Sequence, residues 1–186
     1  MPHVAFFGGS FNPPHVAHVL AVSYALSVGE FDRVLMVPVF QHAFSKPLVD
    51  YRQRLAMSRL AVAPLRGVEV SDVESKLPVP SYTLDTIRHL RERHPDWSLS
   101  LMIGSDQLGE RQDWRGFDEI VELAPLFELP RAGYLGEHRA LLPELSSSEV
   151  RELLARRSEL HARQRLATLI PSRVLAYIEE HRLYCP

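Results

Sequence analysis

Short apolar runs alternate with longer segments of helical periodicity along most of the chain. The runs predict five strands, at residues 3–7, 33–37, 68–70, 99–103 and 125–129. The helical segments predict helices at residues 16–28, 51–62, 84–94, 117–123, 148–157 and 172–181. Strands that alternate with helices indicate a parallel sheet with crossover helices.

This order predicts an α/β fold, a doubly wound parallel sheet with a small helical C-terminal part at residues 146–186. The length of 186 residues suits a single domain, 1–186, because one domain takes roughly 150 residues. Helix 16–28 is apolar on almost every side, which predicts deep burial. In such sheets ligands bind beyond the carboxyl ends of the strands, so the segments that follow strands are the candidates for a site.

Composition and charge narrow the possible partners. The formal net charge is -2, which argues against a broad basic surface for nucleic acid. The one cysteine, Cys185, cannot form a disulfide within the chain, which fits a reducing compartment. The apolar N-terminal stretch lacks a charged start and is interrupted by glycines and prolines at residues 8–14. We therefore expect neither a signal peptide nor a membrane span, and a cytoplasmic protein.

An unusual segment joins the first strand to the first helix: Gly8-Gly9-Ser10-Phe11-Asn12-Pro13-Pro14-His15-Val16-Ala17-His18. The two glycines allow close approach of backbone N–H groups to a ligand, and a helix N-terminus favours anions. His15 and His18 are three residues apart and so can share one helix face. The segment predicts a phosphate site with two imidazoles. It is neither a Walker A loop nor a GxGxxG fingerprint, and no HExxH pattern or cysteine cluster supports zinc.

The segment resembles the GG[ST]F[DN]PxHxGH motif of the nucleotidyltransferase superfamily, and more narrowly that of bacterial nicotinate-nucleotide adenylyltransferases. The resemblance implies a Rossmann-like nucleotidyltransferase fold. It also implies that His15 and His18 stabilise the α-phosphate of ATP during transfer. The four residues that would bind ATP here are Gly8, Gly9, Ser10 and Phe11. Ala17 stands where the family has glycine.

Two segments resemble the family's pocket for the nicotinate ring. Residues 80–86, PSYTLDT, match its PSYTxDT motif, which implies that Ser81, Tyr82 and Thr83 bind nicotinate mononucleotide. From the residues alone, Ser81 or Thr83 would cap the helix that follows. Trp114 matches a family tryptophan near the same pocket, with core packing as the alternative.

Two more segments resemble parts of the ATP site. Residues 103–108, IGSDQL, look like the family's GxDxL. Gly104 would permit close approach of the nucleotide, and Asp106 would accept a hydrogen bond from a ribose hydroxyl or organise a metal.

Residues 145–151, LSSSEVR, resemble the family's ISSTxIR. The match implies that Ser146, Ser147 and Ser148 hold ATP phosphates and that Arg151 pairs with the β- and γ-phosphates. Ser146 and Glu149 also form an S-x-x-E capping box, which explains the segment without a ligand.

The loop after the second strand departs from the family pattern. Relatives carry a PPHKP-like loop, whereas residues 41–47 here read QHAFSKP. We take Lys46 as a charge clamp on the phosphates and count it among the catalytic residues, while His42 is the alternative for that role.

The resemblance implies transfer of AMP from ATP to nicotinate mononucleotide, giving nicotinate adenine dinucleotide and pyrophosphate in NAD biosynthesis. Mg²⁺ would be held mainly by the ATP phosphates and water, with no dedicated set of metal-binding side chains. One alternative is the same chemistry on nicotinamide mononucleotide or on another phosphate acceptor. An alternative of another class is a nucleotide-binding regulator without catalysis. A homo-oligomer is left open, because an exposed apolar helix face would suit an interface.

Overall fold

The computed structural model describes residues 1–42, 48–129, 142–143 and 145–185. Five parallel strands form one sheet in the order β3-β2-β1-β4-β5. They are β1 (His3–Gly9), β2 (Arg33–Pro38), β3 (Val68–Val70), β4 (Ser98–Gly104) and β5 (Leu126–Leu129). The predicted strands are confirmed, and the main difference is that β1 continues through both glycines, which pair with Val37 and Pro38 of β2.

Seven α-helices accompany these strands in the described part of the chain. They are α1 (Val16–Val28), α2 (Tyr51–Val62), α3 (Thr83–Arg93), α4 (Phe117–Leu123), α5 (Ser147–Ala155), α6 (Leu160–Leu169) and α7 (Ser172–Glu180). Helix α6 was not predicted, because only Ala162 and Leu166 of it are buried and its apolar pattern is sparse. Two 3₁₀ helices, Val73–Lys76 and Gln107–Asp113, were also not predicted.

The sheet is covered on both faces, as the doubly wound fold requires. Alternate residues of β1 point to opposite faces: Ala5 and Phe7 join the core shared with α1, α2 and α5–α7. Val4 and Phe6 join the core shared with α3 and α4. The C-terminal helices therefore pack on the same side of the sheet as α1. None of the described helices is long and apolar enough to cross a membrane.

Helix α1 is less buried than its composition predicted. Its buried residues are small or branched, on one face: Ala17, Ala21, Val22 and Ala25. Leu20 and Val28 are 42% and 54% exposed. The prediction of deep burial was wrong because the sheet and α6 cover only one side of this helix.

The strand order reverses at β1, which lies between β2 and β4. Ligands bind outside the carboxyl ends of strands at such a switch point, where the adjoining loops diverge. β1 ends at Gly9 and β4 ends at Gly104. The two glycine-containing segments identified in the sequence are thus brought together at this edge of the sheet.

Candidate active site

The loop after β1 is closely packed around its glycines. Phe11 adopts a left-handed backbone conformation, with φ of 45°, and its side chain is 1% exposed. A Cβ atom at Gly9 would lie 2.9 Å from Cζ of Phe11. The ring of Phe11 therefore occupies the space that a side chain at position 9 would need, so glycine suits both the loop and the backbone approach of a ligand.

The two histidines lie side by side at the start of α1. His15 is the N-cap residue and is 1% exposed, and the two ring centroids are 3.8 Å apart. The backbone N–H of His15 donates to Nδ1 of His18 over 3.1 Å. In the neutral ring this bond assigns the proton of His18 to Nε2, which makes that atom a hydrogen-bond donor. His18 therefore both caps the helix and presents a donor.

Two cavities meet at the glycine-containing loop. The larger cavity has a volume of about 530 Å³ and the smaller cavity about 240 Å³. Gly8, Gly9 and Ser10 line both of them, as does Gln107. Gln107 accepts a bond from the backbone N–H of Gly104 (3.4 Å) and was given no role by the sequence.

The larger cavity gathers the residues expected at the ATP. The predicted residues that line it are Gly8, Gly9, Ser10, Phe11, His15, His18, Gly104, Asp106, Ser146, Ser147, Ser148 and Arg151. Two helix N-termini, those of α1 and α5, adjoin this one space. Ala17 also lines it, is 4% exposed, and packs within the core behind the loop. A cavity with two helix starts and a guanidinium favours a ligand with several phosphates.

The serine-rich segment starts α5 and is tied to the first loop. Ser146 accepts from the backbone N–H of Glu149 (3.2 Å), so the expected N-cap bond is present. Ser147 donates to the carbonyl of Pro13 (3.1 Å). Arg151 donates to the carbonyl of Asn12 (2.9 Å) and to Oγ of Ser148 (3.0 Å).

The carboxylate of Glu149 is the one feature of this segment that would oppose phosphate. It lies 3.7 Å from Nη2 of Arg165 on α6. It thus has a basic neighbour on another helix, which offsets its charge next to the larger cavity.

The smaller cavity gathers the residues expected at the nicotinate ring, namely Ser81, Tyr82, Thr83 and Trp114. The expectation that Ser81 or Thr83 caps α3 was wrong, since the N-cap residue is Tyr82 and it makes no capping side-chain bond. Ser81 instead accepts from the backbone N–H of Gln41 (3.2 Å) and donates its own N–H to the carbonyl of Gln41 (2.9 Å).

Cationic and aromatic groups border the same cavity. The guanidinium of Arg115 lies 4.8 Å from the ring centroid of Tyr82, and Trp114 packs edge-on against Phe117 at 6.1 Å. His42 forms a parallel bridge with Ser81 and lines the smaller cavity. Lys46 lies outside the described residues, so its role as a charge clamp stays a prediction.

Arg54 of α2 was not identified from the sequence. It is 1% exposed and donates to three backbone carbonyls, those of Val49 (2.9 Å), Ser10 (3.0 Å) and Phe40 (3.3 Å). Burial lowers the pKa of its guanidinium, and nearby tyrosines and acids oppose that shift. The side chain joins the glycine-containing loop to the loop after β2, where the two cavities meet.

Glu74, in the first 3₁₀ helix, is a second residue that the sequence did not reveal. It lines the smaller cavity, is 4% exposed, and accepts from the N–H of Phe40 (2.9 Å) and from Oγ1 of Thr86 (3.1 Å). Burial raises the pKa of this carboxyl, and those hydrogen bonds with the charge of Arg54 partly oppose the rise.

The described residues offer little to a metal ion on their own. They contain no group of three or more His, Cys, Asp or Glu side chains placed to hold one. Asp106 is the only acid among the described residues that line the larger cavity. One carboxylate beside a candidate phosphate site fits Mg²⁺, which is usually bound by one or two carboxylates together with substrate phosphates and water.

A parallel α/β sheet with a glycine-containing loop and two helix N-termini around one cavity defines a nucleotide-binding class of protein, and the comparison with family models agrees. The cytidylyltransferase-like family matches residues 6–153. The chain belongs to this family.

Curated relatives of similar length carry the name of one kind of nucleotidyltransferase. A protein of Anaeromyxobacter dehalogenans strain 2CP-C, named probable nicotinate-nucleotide adenylyltransferase, is 40% identical over 97% of this chain and 96% of its own length. A protein of Myxococcus xanthus with the same name is 38% identical over 97% and 94%. The solved structure of Plasmodium falciparum nicotinic acid mononucleotide adenylyltransferase complexed with NaAD has a TM-score of 0.84 at 18% identity, covering 99% of this chain and 98% of that one. This last similarity supports the fold.

Proposed function

We propose that this chain is an enzyme that transfers the AMP part of ATP to nicotinate mononucleotide, giving nicotinate adenine dinucleotide and pyrophosphate for NAD biosynthesis. The observation that carries the proposal is the pair of cavities that meet at Gly8–Ser10. The larger has the anion-binding features that a triphosphate needs, and the smaller has an aromatic lining that suits a ring. The names of the curated relatives point to the same reaction.

The reaction is a displacement at phosphorus. A phosphate oxygen of the mononucleotide attacks the α-phosphorus of ATP from the smaller cavity. A new P–O bond forms, the bond from the α-phosphorus to the bridging oxygen breaks, and its electron pair leaves with pyrophosphate. The donor and the acceptor must meet where the two cavities join, beside Ser10. Holding both reactants in line there supplies a large part of the rate enhancement.

The residues of the larger cavity would stabilise the charge that develops. Nε2–H of His18 and the imidazole of His15 would contact the α-phosphate, and Arg151 the β- and γ-phosphates. The serines at the start of α5 would hold the departing pyrophosphate with hydroxyl and N–H groups. Lys46, or His42 in its place, would clamp the phosphates from the loop after β2.

The ring of the acceptor would lie in the smaller cavity. Ser81, Tyr82 and Thr83 would border it on one side and Trp114 on another. A carboxylate on that ring carries one negative charge that an amide lacks. Arg115, which lines the cavity, carries the opposite charge.

Mg²⁺, when bound, would supply positive charge that offsets part of the charge of the triphosphate. Asp106 is the side chain that would hold it in the larger cavity, with phosphate oxygens and water as the other ligands.

A direct assay tests the proposal. The purified chain is incubated with ATP and Mg²⁺ together with either nicotinate or nicotinamide mononucleotide, and both pyrophosphate and dinucleotide are measured. We expect turnover with a higher kcat/KM for nicotinate mononucleotide. Preference for the amide would reassign the acceptor. Absence of pyrophosphate with both acceptors, from protein that still binds ATP, would favour the regulator.

A further inference from the structure

The residues after α7 return to the loop at the larger cavity, although they are about 170 positions away from it in the chain. We infer that Tyr184 is a positioning residue, whose hydroxyl fixes Asn12 and thereby sets the affinity for ATP. The inference rests on the proposed function for the identity of the nucleotide, but the hydrogen bond from Tyr184 to Asn12 was not used to assign that function.

Asn12 is the point at which separate parts of the fold meet. It is 1% exposed. Its Oδ1 accepts from the hydroxyl of Tyr184 (2.9 Å) and from the backbone N–H of Val49 (3.2 Å), and its carbonyl accepts from Arg151 (2.9 Å). An amide oxygen has two lone pairs, so these two donors use its full capacity. The position of Asn12 is therefore determined from the segment before α2, from α5 and from the residues after α7.

The contacts of Asn12 lead to one cavity and not to the other. Asn12 and Arg151 line the larger cavity, and neither lines the smaller one. Next in the chain, the carbonyl of Pro13 accepts from Ser147. A shift of Asn12 would therefore move the guanidinium and the hydroxyl that face the triphosphate, and would leave the lining at Ser81 and Trp114 in place.

Tyr184 is held in position by its own surroundings. Arg182 and Tyr184 both adopt a left-handed backbone, with φ of 51° and 55°. The N–H of Leu183 donates to the carbonyl of Ile178 (3.0 Å), and the carbonyl of Leu183 accepts from Arg157 (3.1 Å). Burial raises the pKa of the Tyr184 hydroxyl, with the charges of Arg151 and Arg54 opposing. The phenol thus stays protonated and remains a donor at every pH used for assay.

The same part of the chain offers a matched control. Tyr177 of α7 also donates its hydroxyl across the fold, to Oε1 of Gln53 on α2 (2.6 Å). Neither Tyr177 nor Gln53 lines either cavity. Tyr177→Phe therefore removes one part-buried hydrogen bond between α7 and α2. It leaves the contacts of Asn12 in the glycine-containing loop unchanged.

The test compares Tyr184→Phe with Tyr177→Phe and wild type. Tyr184→Phe keeps the ring and its packing, and we expect it to raise the KM for ATP about two- to tenfold, the range for loss of one hydrogen bond. The KM for the mononucleotide should stay at the wild-type value. Tyr177→Phe should match wild type in all kinetic constants, even if its Tm falls as far as that of Tyr184→Phe. Titration calorimetry with a non-hydrolysable ATP analogue should show the same rise in Kd for Tyr184→Phe alone.

Three results would overturn the inference. The first is a wild-type Kd for the ATP analogue in Tyr184→Phe. The second is an equal change of both KM values in Tyr184→Phe, and the third is the same rise in the KM for ATP in Tyr177→Phe, because each of these two would indicate a general loss of stability. A wild-type chain that binds the analogue but transfers nothing would contradict the proposed function only, since the Kd comparison does not depend on turnover.

Discussion

The larger and the smaller cavity are lined by different chemical groups, although they share the loop Gly8–Ser10. Beside apolar side chains, the larger is bounded by backbone, two helix starts, imidazoles, hydroxyls, a guanidinium and the carboxyl of Asp106. The smaller has no α1 or α5 helix start and is bounded by aromatic and apolar side chains together with the buried carboxyl of Glu74, and His42, Asp113 and Arg115 also line it. Phosphates are recognised by N–H groups and charge, whereas a planar ring is recognised by its shape and surface.

This difference predicts which substrate each kind of substitution should affect. Removing a donor from the larger cavity should impair ATP binding or the transfer step. Removing an aromatic side chain from the smaller cavity should impair the acceptor. A substitution in one cavity should therefore change the kinetic constants for one substrate only. An equal change for both substrates would contradict the assignment of one substrate to each cavity.

His18→Ala should have the largest effect, because Nε2–H would be lost where charge develops. Loss of one such donor typically lowers kcat by about 10²- to 10³-fold. The Nδ1 atom also accepts from His15 N, so the variant should lose about 1 kcal/mol of stability as a helix cap does. Steady-state kinetics and urea unfolding measure the two effects separately.

His161→Ala is the matched control for that variant. His161 is exposed on α6 and lines neither cavity, so its replacement should change neither kcat nor the KM values. Near-normal turnover of folded His18→Ala would remove His18 from the transfer step and leave it only as a cap.

Arg151→Ala should raise the KM for ATP about 10- to 100-fold, which is the usual range for a hydrogen bond to a charged group. The KM for the mononucleotide should change far less, because Arg151 lines only the larger cavity. Initial rates with each substrate varied in turn measure the split. Arg163→Ala, an exposed replacement on α6, is the control, and an equal rise of both KM values in Arg151→Ala would sink the assignment.

Trp114→Ala should give the opposite split. Its indole lines only the smaller cavity, so we expect the KM for the mononucleotide to rise about three- to tenfold, as for loss of one aromatic contact, with the KM for ATP unchanged. Trp97 provides the control, since it stacks on His94 at 3.7 Å and lines neither cavity. If Trp114→Ala lowers only the Tm, as Trp97→Ala should, then Trp114 is a core residue and the alternative interpretation of it is correct.

The sequence predicted the parts of this molecule that depend on neighbours along the chain. The bounds of β3, α1, α2 and α4 agree with the predictions because apolar periodicity is a local signal. The motifs at residues 8–18 and 145–151 were found for the same reason, since each provides a helix start and its donors in one segment.

Residues that join distant segments could not be identified from their neighbours along the chain. Tyr184 meets Asn12 only after the chain has folded, and nothing near position 184 indicates this contact. The burial of Arg54 could have been predicted, because its position is in phase with the buried face of α2. The other residues of that face are Met57, Ser58, Ala61 and Val62. A charged residue at i, where i+3, i+4, i+7 and i+8 are buried, predicts a buried charge with backbone partners.

Glu74→Gln should have the smallest effect, and it tests whether the smaller cavity excludes water around this carboxyl. Burial raises the pKa of Glu74, so the folded chain binds this proton more tightly than the unfolded chain. The stability it contributes is therefore full below the unfolded-state pKa and is lost as the pH rises through the raised folded-state pKa. A glutamine cannot titrate, yet it can still accept from Phe40 and donate to the hydroxyl of Thr86.

Unfolding in urea at a series of pH values across that window measures the consequence. The free energy of unfolding of wild type should fall with rising pH more steeply than that of Glu74→Gln, so the variant gains stability relative to wild type as the pH rises. Glu92→Gln, an exposed replacement on α3, should keep the wild-type slope. Parallel slopes for wild type and Glu74→Gln would mean that water reaches the carboxyl. The smaller cavity would then be a wet, polar site like the larger one, and the contrast between the two would rest on their charged groups alone.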